Sequence, residues 1–519
     1  MFVCIPMALL TIRMVLKETY TMLNRFLNRF SMYKVVSFAL TILFIISLVL
    51  SLFGVLAYSL LAMLASAAVL FVAVYATSLL FGLLFGVRIH AESSFITAMI
   101  LFFVFTPTLE LTGLAGLLIT GMIAAASKFV VVFRGRHIFN AAALAIFVAG
   151  LTGLVYASWW VGTPVLVPAV FLLGFAVLQK TRRIPSSGTF LGLASVLVIA
   201  LLVIEGATFG ESLVLWLSWP ILFFSSFMLT EPLTLPGKRW QQVSEAVVVA
   251  FLFAIPLHLG DFTTTPALAL LVGNLIAFGF SRYRSLQLTF VEQKQLTPTS
   301  YEFVFIPSRP LTHQPGQYVE IQVPHKGADL RGIRRSFSVT SAPGEKTLRL
   351  GIKFYEPSSS LKTALQNLKK GDSMPTTGIS GDFTLPKDPT APLLYIAGGI
   401  GITPFISHLQ HLLRTDQARD IVLLYSVANI DELAYKDILV ASGVKVFVIT
   451  KSDAPVQLPG DWAHINAPFI TQDILNQNVP DVATRTVFIS GPPPMIDGTK
   501  KHLAALKAPR VKTDYFIGY

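Results

Sequence analysis

The chain has one cysteine, Cys4, among 519 residues, and only 13% of its residues are Asp, Glu, Lys or Arg. A single thiol excludes an intrachain disulfide. It also excludes an iron–sulfur cluster, which takes about four thiolates. Histidine is scarce too, and only His90, His137 and His258 fall in or beside the apolar part of the chain. They lie on different segments without repeat spacing, so paired haem ligands are lacking and no haem is expected. No metal site is expected either.

The shortage of charge accompanies 54% hydrophobic residues and a mean hydropathy of +0.67. Such a composition excludes an ordinary soluble protein and calls for several membrane spans. The averages hide a break. Up to about Ser281 apolar stretches alternate with short polar loops, and from Arg282 onward the texture is that of a soluble α/β protein. The net charge of +12 then reflects Lys and Arg held on one membrane face, and no nucleic-acid partner is expected. Residues 1–34, with Arg13, Lys17, Arg25, Arg29 and Lys34, are too basic and irregular for a cleaved signal peptide. They read as an amphipathic segment lying on lipid.

Crossing ~30 Å of hydrocarbon takes roughly 20 apolar helical residues. On that basis the chain predicts ten spans within 35–285, near 35–53, 56–86, 93–107, 111–131, 139–157, 164–179, 187–204, 212–229, 243–258 and 265–281. Arg88, Lys128, Arg134, Arg136, Lys180, Arg182, Arg183, Lys238, Arg239, Arg282 and Arg284 all fall on the side of the N-terminus. The opposite loops, near 54, 108–110, 158–163, 205–211 and 259–264, contain no Lys or Arg. This charge pattern predicts a multi-pass protein of the cell membrane with both termini cytoplasmic. Phe105-Thr106-Pro107-Thr108-Leu109 loosely matches Leu229-Thr230-Glu231-Pro232-Leu233, and Ala143-Leu144-Ala145 matches Ala267-Leu268-Ala269 at an offset of 124. Two copies of five spans are inverted relative to each other, and such repeats place binding sites at broken helices near the midplane.

Three stretches carry a resemblance: Glu92-Ser93-Ser94-Phe95-Ile96-Thr97, Arg134-Gly135-Arg136-His137-Ile138-Phe139-Asn140-Ala141-Ala142 and Phe227-Met228-Leu229-Thr230-Glu231-Pro232. In order and spacing they resemble the membrane flavin proteins of two respiratory complexes, Rnf and the sodium-translocating NADH:quinone oxidoreductase. Glu92, His137, Asn140, Thr230 and Glu231 are polar groups at or near membrane depth, costly unless paired or functional. The resemblance implies a flavin, FMN or riboflavin, in the membrane domain, with Arg136, His137, Asn140, Thr163, Thr230 and Glu231 as candidate contacts. It also implies covalent attachment through a Thr in an S-G-A-T-like motif, which this chain lacks. Thr163, in Trp159-Trp160-Val161-Gly162-Thr163-Pro164, is the nearest residue on an external loop. Gly-Thr-Pro is equally an ordinary helix start, with Thr as the cap and Pro at the first position. Ser186-Ser187-Gly188-Thr189 is closer by letter but falls on the cytoplasmic side.

From about Leu286 the chain resembles the ferredoxin–NADP reductase superfamily. The expected parts are a β-barrel FAD domain over 286–388 and an α/β NAD(P)-binding domain over 389–519. Pro315-Gly316-Gln317-Tyr318-Val319 enters a strand, and Arg335-Ser336-Phe337-Ser338 follows with the superfamily's R-x-Y/F-S pattern. The resemblance implies that Arg335 holds the FAD diphosphate, Phe337 stacks on the ring and Ser338 lies at its redox edge. Gly351-Ile352-Lys353 and Ser358-Ser359-Ser360-Leu361-Lys362 resemble the next FAD contacts, and Phe516 in the aromatic C-terminus resembles a residue covering the flavin. Leu393-Leu394-Tyr395-Ile396-Ala397 reads as a buried strand leading into Gly398-Gly399-Ile400-Gly401-Ile402-Thr403-Pro404. Glycines let a dinucleotide approach the backbone, and the helix N-terminus that follows favours its phosphates. Gly399, Gly401, Ile402, Thr403 and Pro404 are the candidate NAD(P) contacts here, with Thr403 and Ser338 positioning the reactants. Ser426 at a strand end and Gly491, Pro492, Pro493 and Met495 near the nicotinamide complete them. Leu424-Tyr425-Ser426-Val427-Ala428-Asn429 has no Arg to read a 2′-phosphate, which leans towards NADH, although Lys451 could substitute.

Hydride transfer between nicotinamide and flavin needs no strong acid or base, so no catalytic dyad is expected. A cytoplasmic flavin cannot pass electrons directly across ~30 Å of hydrocarbon. The combination predicts an FAD-dependent NAD(P)H dehydrogenase that feeds a membrane flavin and then a quinone or external acceptor, with companion electron-transfer subunits as further partners. Two alternatives stay open at the level of sequence: an anchored reductase whose helices are only scaffold, and an ion transporter coupled to electron flow.

Overall fold

The computed structural model describes residues 22–515 apart from 25, 88, 134–135, 260–261, 281–285 and 453–455. Cys4, Arg13, Lys17, Arg25, Arg88, Arg134, Arg282, Arg284 and Phe516 therefore lie outside the described residues, as does most of the N-terminal basic segment. The chain divides into two units, Met1–Arg282 and Tyr283–Tyr519.

In the first unit a polar cap stands before several apolar runs and starts a helix there. Ser31 accepts from Lys34 N to open α1 (Met32–Leu52), and Ser59 accepts from Ala62 N to open α2 (Leu60–Leu84). Then come α3 (Ala91–Val104), α4 (Leu111–Val130), a hairpin of β1 (Val132–Phe133) and β2 (Arg136–His137), and α5 (Ala141–Thr152), capped by Asn140. The second half runs α6 (Val167–Thr181), α7 (Ile184–Ile204), α8 (Phe209–Trp216) and α9 (Ile221–Phe223), which continues as a π-helical turn over Phe224–Met228. It ends with α10 (Arg239–Ala254), a hairpin of β3 (His258–Leu259) and β4 (Phe262–Thr263), and α11 (Pro266–Phe280).

Helices α1, α2, α4 and α7 are long and apolar enough to cross a membrane. The α8 and α9–π segments, bent by 50° with Pro220 at the break, would make a fifth span. The other expected spans appear as shorter helices, α3, α5, α6, α10 and α11. At α3 the reason is visible. The helix stops at Val104, and its freed carbonyls are taken up by residues 158–161: Trp160 Nε1 donates to Phe102 O at 2.7 Å, and Ser158 N and Trp159 N donate to Val104 O at 3.0 and 2.8 Å. A broken helix in an apolar unit needs such replacement partners. One packing order occurs in both halves: α2 lies against α4 and α4 against α5, as α7 lies against α10 and α10 against α11. The halves meet where α1 packs on α6 and α5 on α11.

The second unit opens with six antiparallel strands: β5 (Leu286–Thr297), β6 (Ser300–Pro307), β7 (Tyr318–Gln322), β8 (Arg334–Ser338), β9 (Leu348–Lys353) and β10 (Ser373–Ser380), in the order β8-β7-β10-β5-β6-β9. The edges close on each other through a bridge between Val339 and Leu350, so the sheet curls into a barrel around Phe303, Phe305, Ile321 and Leu350. Between β9 and β10 lies the short helix α12 (Ser360–Gln366).

A parallel sheet follows, ordered β14-β13-β12-β11-β15-β16: β11 (Leu393–Gly398), β12 (Ile421–Ser426), β13 (Lys445–Thr450), β14 (Ala463–Asn466), β15 (Thr486–Gly491) and β16 (Arg510–Tyr515). Its central strand is buried at every position, as a run of Leu, Tyr, Ile and Ala covered on both faces requires. The helices α13 (Thr403–Arg414), α14 (Lys436–Ala441), α15 (Gln472–Asn478) and α16 (Pro493–Ala505) complete the unit.

Candidate functional site

Two sites emerge, one in each unit. In the second unit, β11 ends in a 3-10 turn, Gly399–Ile402, and α13 starts at Thr403 with Pro404 in its first turn. Gly399 adopts φ +53, and a Cβ there would meet nothing within 4 Å. Its backbone is therefore open to an approaching ligand, at a conformation that L side chains avoid. The other glycines are closed. A Cβ on Gly401 would come within 2.5 Å of Ser490 O, and one on Gly398 within 2.6 Å of Met495 Sδ and 2.9 Å of Pro492 Cδ. The Gly398–Pro404 turn thus lies directly on the Gly491–Met495 turn, where Pro492 caps α16 and Pro493 is its first residue. Ser426 ends β12 and pairs in register with Gly398.

The barrel joins this turn through side chains. Gly351 in β9 leaves room for Tyr435 Oη and Thr403 Cγ2, which a Cβ would approach to 2.5 and 2.6 Å. It is a close-packing position between the barrel and the α/β part. Thr403 is fully buried and donates to Ile400 O at 3.1 Å. Ile352 sits in the barrel core. Lys353, another expected FAD contact, is paired with Glu432 of the α/β part at 2.8 Å. Ser338 Oγ donates to Asp514 at 3.1 Å, and Asp514 stands opposite Ser490 in the β15–β16 ladder. The Ser490 hydroxyl is buried without a hydrogen-bond partner. Neither Asp514 nor Ser490 was marked by its residue type; strand pairing sets them side by side, and Asp514 reaches Ser338.

Around Arg335 the cations gather. Its Nη1 donates to Arg331 O and Gly332 O, and its Nη2, 3.7 Å from Asp329, is buried without a hydrogen bond. Burial, and then the like charges of Arg331, Arg335 and Lys353, bring the Lys362 ammonium down to about 8. A cluster of cations of this kind fits an anionic diphosphate. Other expected contacts hold structural positions. Ser336 is exposed, while Phe337 belongs to the barrel core. Ser359 caps α12, Ser360 Oγ accepts from Asp329 N at 2.9 Å, and Leu361 is fully buried.

Residues 395–501 match the family of oxidoreductase NAD-binding domains. The reductase component of propane 2-monooxygenase from Rhodococcus jostii is 28% identical over 238 residues, 44% of this chain and 58% of that protein. A flavohemoprotein of Bacillus cereus is 34% identical over 128 residues, 24% of this chain and 32% of its own length. The second unit thus resembles the electron-transfer reductase modules of these proteins. The chain spans about half the length of the propane 2-monooxygenase reductase components it matches. Among solved structures, the Amycolatopsis cytochrome P450 reductase GcoB is 24% identical, over 45% of this chain and 70% of its own, with a TM-score of 0.38.

Outside the reductase module, the first unit holds a cavity of about 60 Å³. A single ordered water needs only ~10–15 Å³, so a larger group fits. All three stretches singled out in the apolar half meet in its wall: Ser93, Ile96 and Thr97 from the first, Asn140, Ala141 and Ala142 from the second, and Phe227, Thr230, Glu231 and Pro232 from the third. Of the expected flavin contacts, Asn140, Thr230 and Glu231 are brought together. Arg136, His137 and Thr163 do not line the cavity. Arg136 donates to Thr234 O at 3.1 Å and lies over the Phe278 ring, and His137 is in the β1–β2 hairpin. Thr163 precedes α6 in a turn closed by Leu166 N, three residues short of the cap position, with its hydroxyl buried and unpartnered. The helix that was to start at Thr163-Pro164 starts at Val167, with Pro168 as its second residue.

Asn140 is the best-anchored polar residue in the wall. Its backbone N–H donates to Asn274 Oδ1 at 2.8 Å, and its side chain accepts from Ala143 N and donates to Met228 O. It joins the start of α5 to the end of the π-helical turn, a geometry often found at functional sites.

Proposed function

We propose that the chain is a membrane-bound NAD(P)H dehydrogenase. Hydride passes from the nicotinamide to FAD in the reductase module, and electrons continue to a flavin in the helical unit and on to a quinone or external acceptor. The observation that carries the second half is the meeting of three sequence-distant polar stretches at one cavity. FAD supplies the hydride acceptor when bound. The chain supplies placement: Arg335 and Lys362 hold the diphosphate charge, and Gly399 leaves the backbone open where α13 begins. Ser338 and Asp514 hold a proton between them beside the barrel strand expected at the ring's redox edge. The strand end at Ser426 has no cation among Val427, Ala428 and Asn429, which favours NADH.

Ten spans in two inverted sets of five are supported by the repeated packing order and by a β-hairpin before the last helix of each set. Connections of 2 to 14 residues make successive helices antiparallel. The cavity's lining residues then gather at one face: the starts of α1, α3 and α5, the end of α6 and the turn after the π-helix. The end of α11 falls on that same face, which the Lys/Arg pattern marks as cytoplasmic. An anchored reductase serving a protein partner is the second candidate, favoured by the similarity to a monooxygenase's reductase component.

Flavin stoichiometry separates the two. The full chain purified in mild detergent is expected to release two flavins per polypeptide and to show flavin bands without a Soret peak. One FAD per chain, with undiminished NADH oxidation, refutes the membrane flavin and leaves the anchored reductase.

A further inference from the structure

Between β12 and α14 the chain leaves the parallel sheet and comes back. Val427 N still donates to Ile449 O of β13 at 3.0 Å, and Ala428 and Asn429 then stand exposed at the strand end. A 3-10 turn over Ile430–Glu432 follows, capped by Asn429, and the return is fixed where Ala434 N donates to the Tyr425 hydroxyl at 3.2 Å. At the tip of this excursion Glu432 lands on the barrel. Its carboxylate accepts from Thr299 Oγ1 at 2.7 and 2.9 Å, from Thr297 Oγ1 at 3.4 Å and from Lys353 Nζ at 2.8 Å. Thr297 and Thr299 flank the turn between β5 and β6, and Lys353 ends β9 opposite Ser300. The Glu432 side chain is only 12% exposed, so three donors hold a charge that is largely out of water. Hydrogen bonds of this charge-assisted kind are the strong ones.

Strand order says what the anchored loop faces. The open Gly399 turn follows β11, whose neighbours are β12 on one side and β15 on the other. A dinucleotide lies across the carboxyl ends of such strands, with its phosphates at the glycine turn. With the nicotinamide at the Gly491–Met495 turn after β15, the adenosine half extends the opposite way, over the end of β12 and the exposed Ala428 and Asn429. We propose that Glu432 is a positioning residue for the adenosine half of the nucleotide, because it fastens the 427–435 loop to the barrel. This rests on the placement of NADH given above. Holding the loop in place before the nucleotide arrives removes an ordering cost that binding would otherwise bear. Hydride transfer takes place at the far end of the nucleotide, so Glu432 acts on binding and not on the chemical step.

The test is steady-state NADH oxidation by the full chain in detergent, with ferricyanide as acceptor. It is paired with inhibition by ADP-ribose, which keeps the adenosine half and lacks nicotinamide. Glu432→Ala is expected to raise the KM for NADH and the inhibition constant of ADP-ribose roughly tenfold each, with kcat and bound FAD within about twofold of wild type. Thr299→Val, on the barrel side of the anchor, moves both constants the same way by about threefold. Glu432→Gln keeps an oxygen for the threonines and loses the charge that faces Lys353, so it falls between wild type and Glu432→Ala. A carboxylate that only glued barrel to sheet would lower the Tm and leave ADP-ribose inhibition where it was. Unchanged ADP-ribose inhibition in Glu432→Ala therefore overturns the proposal, as does a fall in kcat at constant KM. Should Glu432→Ala fail to fold, Thr299→Val decides by the same readings. A wild-type chain that oxidises neither NADH nor NADPH overturns the nucleotide site itself, and the role of Glu432 with it.

Discussion

His408 shows how a single side chain can join two parts of a module. It is fully buried, with Nε2 2.9 Å from Phe383 O and Nδ1 3.0 Å from the Tyr395 hydroxyl. Those partners call for a neutral ring that donates from Nε2 and accepts at Nδ1. Gly316, at φ +85, faces it, and a Cβ there would fall 2.1 Å from Phe383 O and 2.3 Å from His408 Nε2. The Pro315-Gly316-Gln317 signal is thus partly a packing requirement, where the barrel meets the α/β sheet. Burial depresses the His408 imidazole to about 3, below its ordinary value near 6.5. The unfolded chain therefore binds a proton that the folded one refuses as pH falls below ~6.5, and stability is lost progressively towards the folded value. His408→Gln is expected to flatten that loss. FAD release during thermal unfolding, compared between pH 7.5 and 5, measures it, and equal slopes in the two proteins would refute the assignment.

At the scale of elements, the glycines divide by what stands opposite them. Gly351 of β9 faces Tyr435 and Thr403, whereas Gly399 faces open space. Tyr435 itself holds φ +61, a left-handed conformation rare for a bulky residue, so it is poorly placed to retreat. Gly351→Ala is expected to destabilise the module by about 1–3 kcal/mol through overpacking. Gly399→Ala carries left-handed strain of roughly 1–2 kcal/mol without a clash, and it should raise the KM for NADH more than it lowers the Tm. Thermal melts and steady-state kinetics on both variants check the ranking, and the reverse order would count against it. Most of the module's strands and turns were legible in the sequence because they answer local needs: a run of apolar residues where a strand is buried, and glycine where backbones touch. The pairing of Lys353 was not legible, because its partner, Glu432, lies 79 residues away. Asp514 went unnoticed because 176 residues separate it from Ser338.

For the whole molecule, the question is which side of the membrane each loop faces. The Lys/Arg-free loops predict an outward orientation for 108–110 and 205–211, and an inward one for the Lys180–Arg183 turn. With Cys4→Ser as background, Leu109→Cys or Ala207→Cys should react with an impermeant thiol reagent in intact cells, and Lys180→Cys only after lysis. Labelling of all three from one side would refute ten spans. Among the described residues, helix length alone gives a smaller count, four or five. Broken helices fall below any length criterion, while neighbouring segments such as residues 158–161 still satisfy their carbonyls.

Composition and local pattern by themselves determined an apolar half followed by a soluble one, the strand and glycine signals of a reductase module, and three polar stretches out of place in an apolar half. Such features depend on residues close together in the chain, where backbone conformation and burial preference leave a direct mark. Only the tertiary structure decided that those stretches share one cavity, that Arg136, His137 and Thr163 stand outside it, and that Lys128 reaches Ser93 at its wall. A side chain's partner across the fold depends on which helices pack, and no local pattern records that.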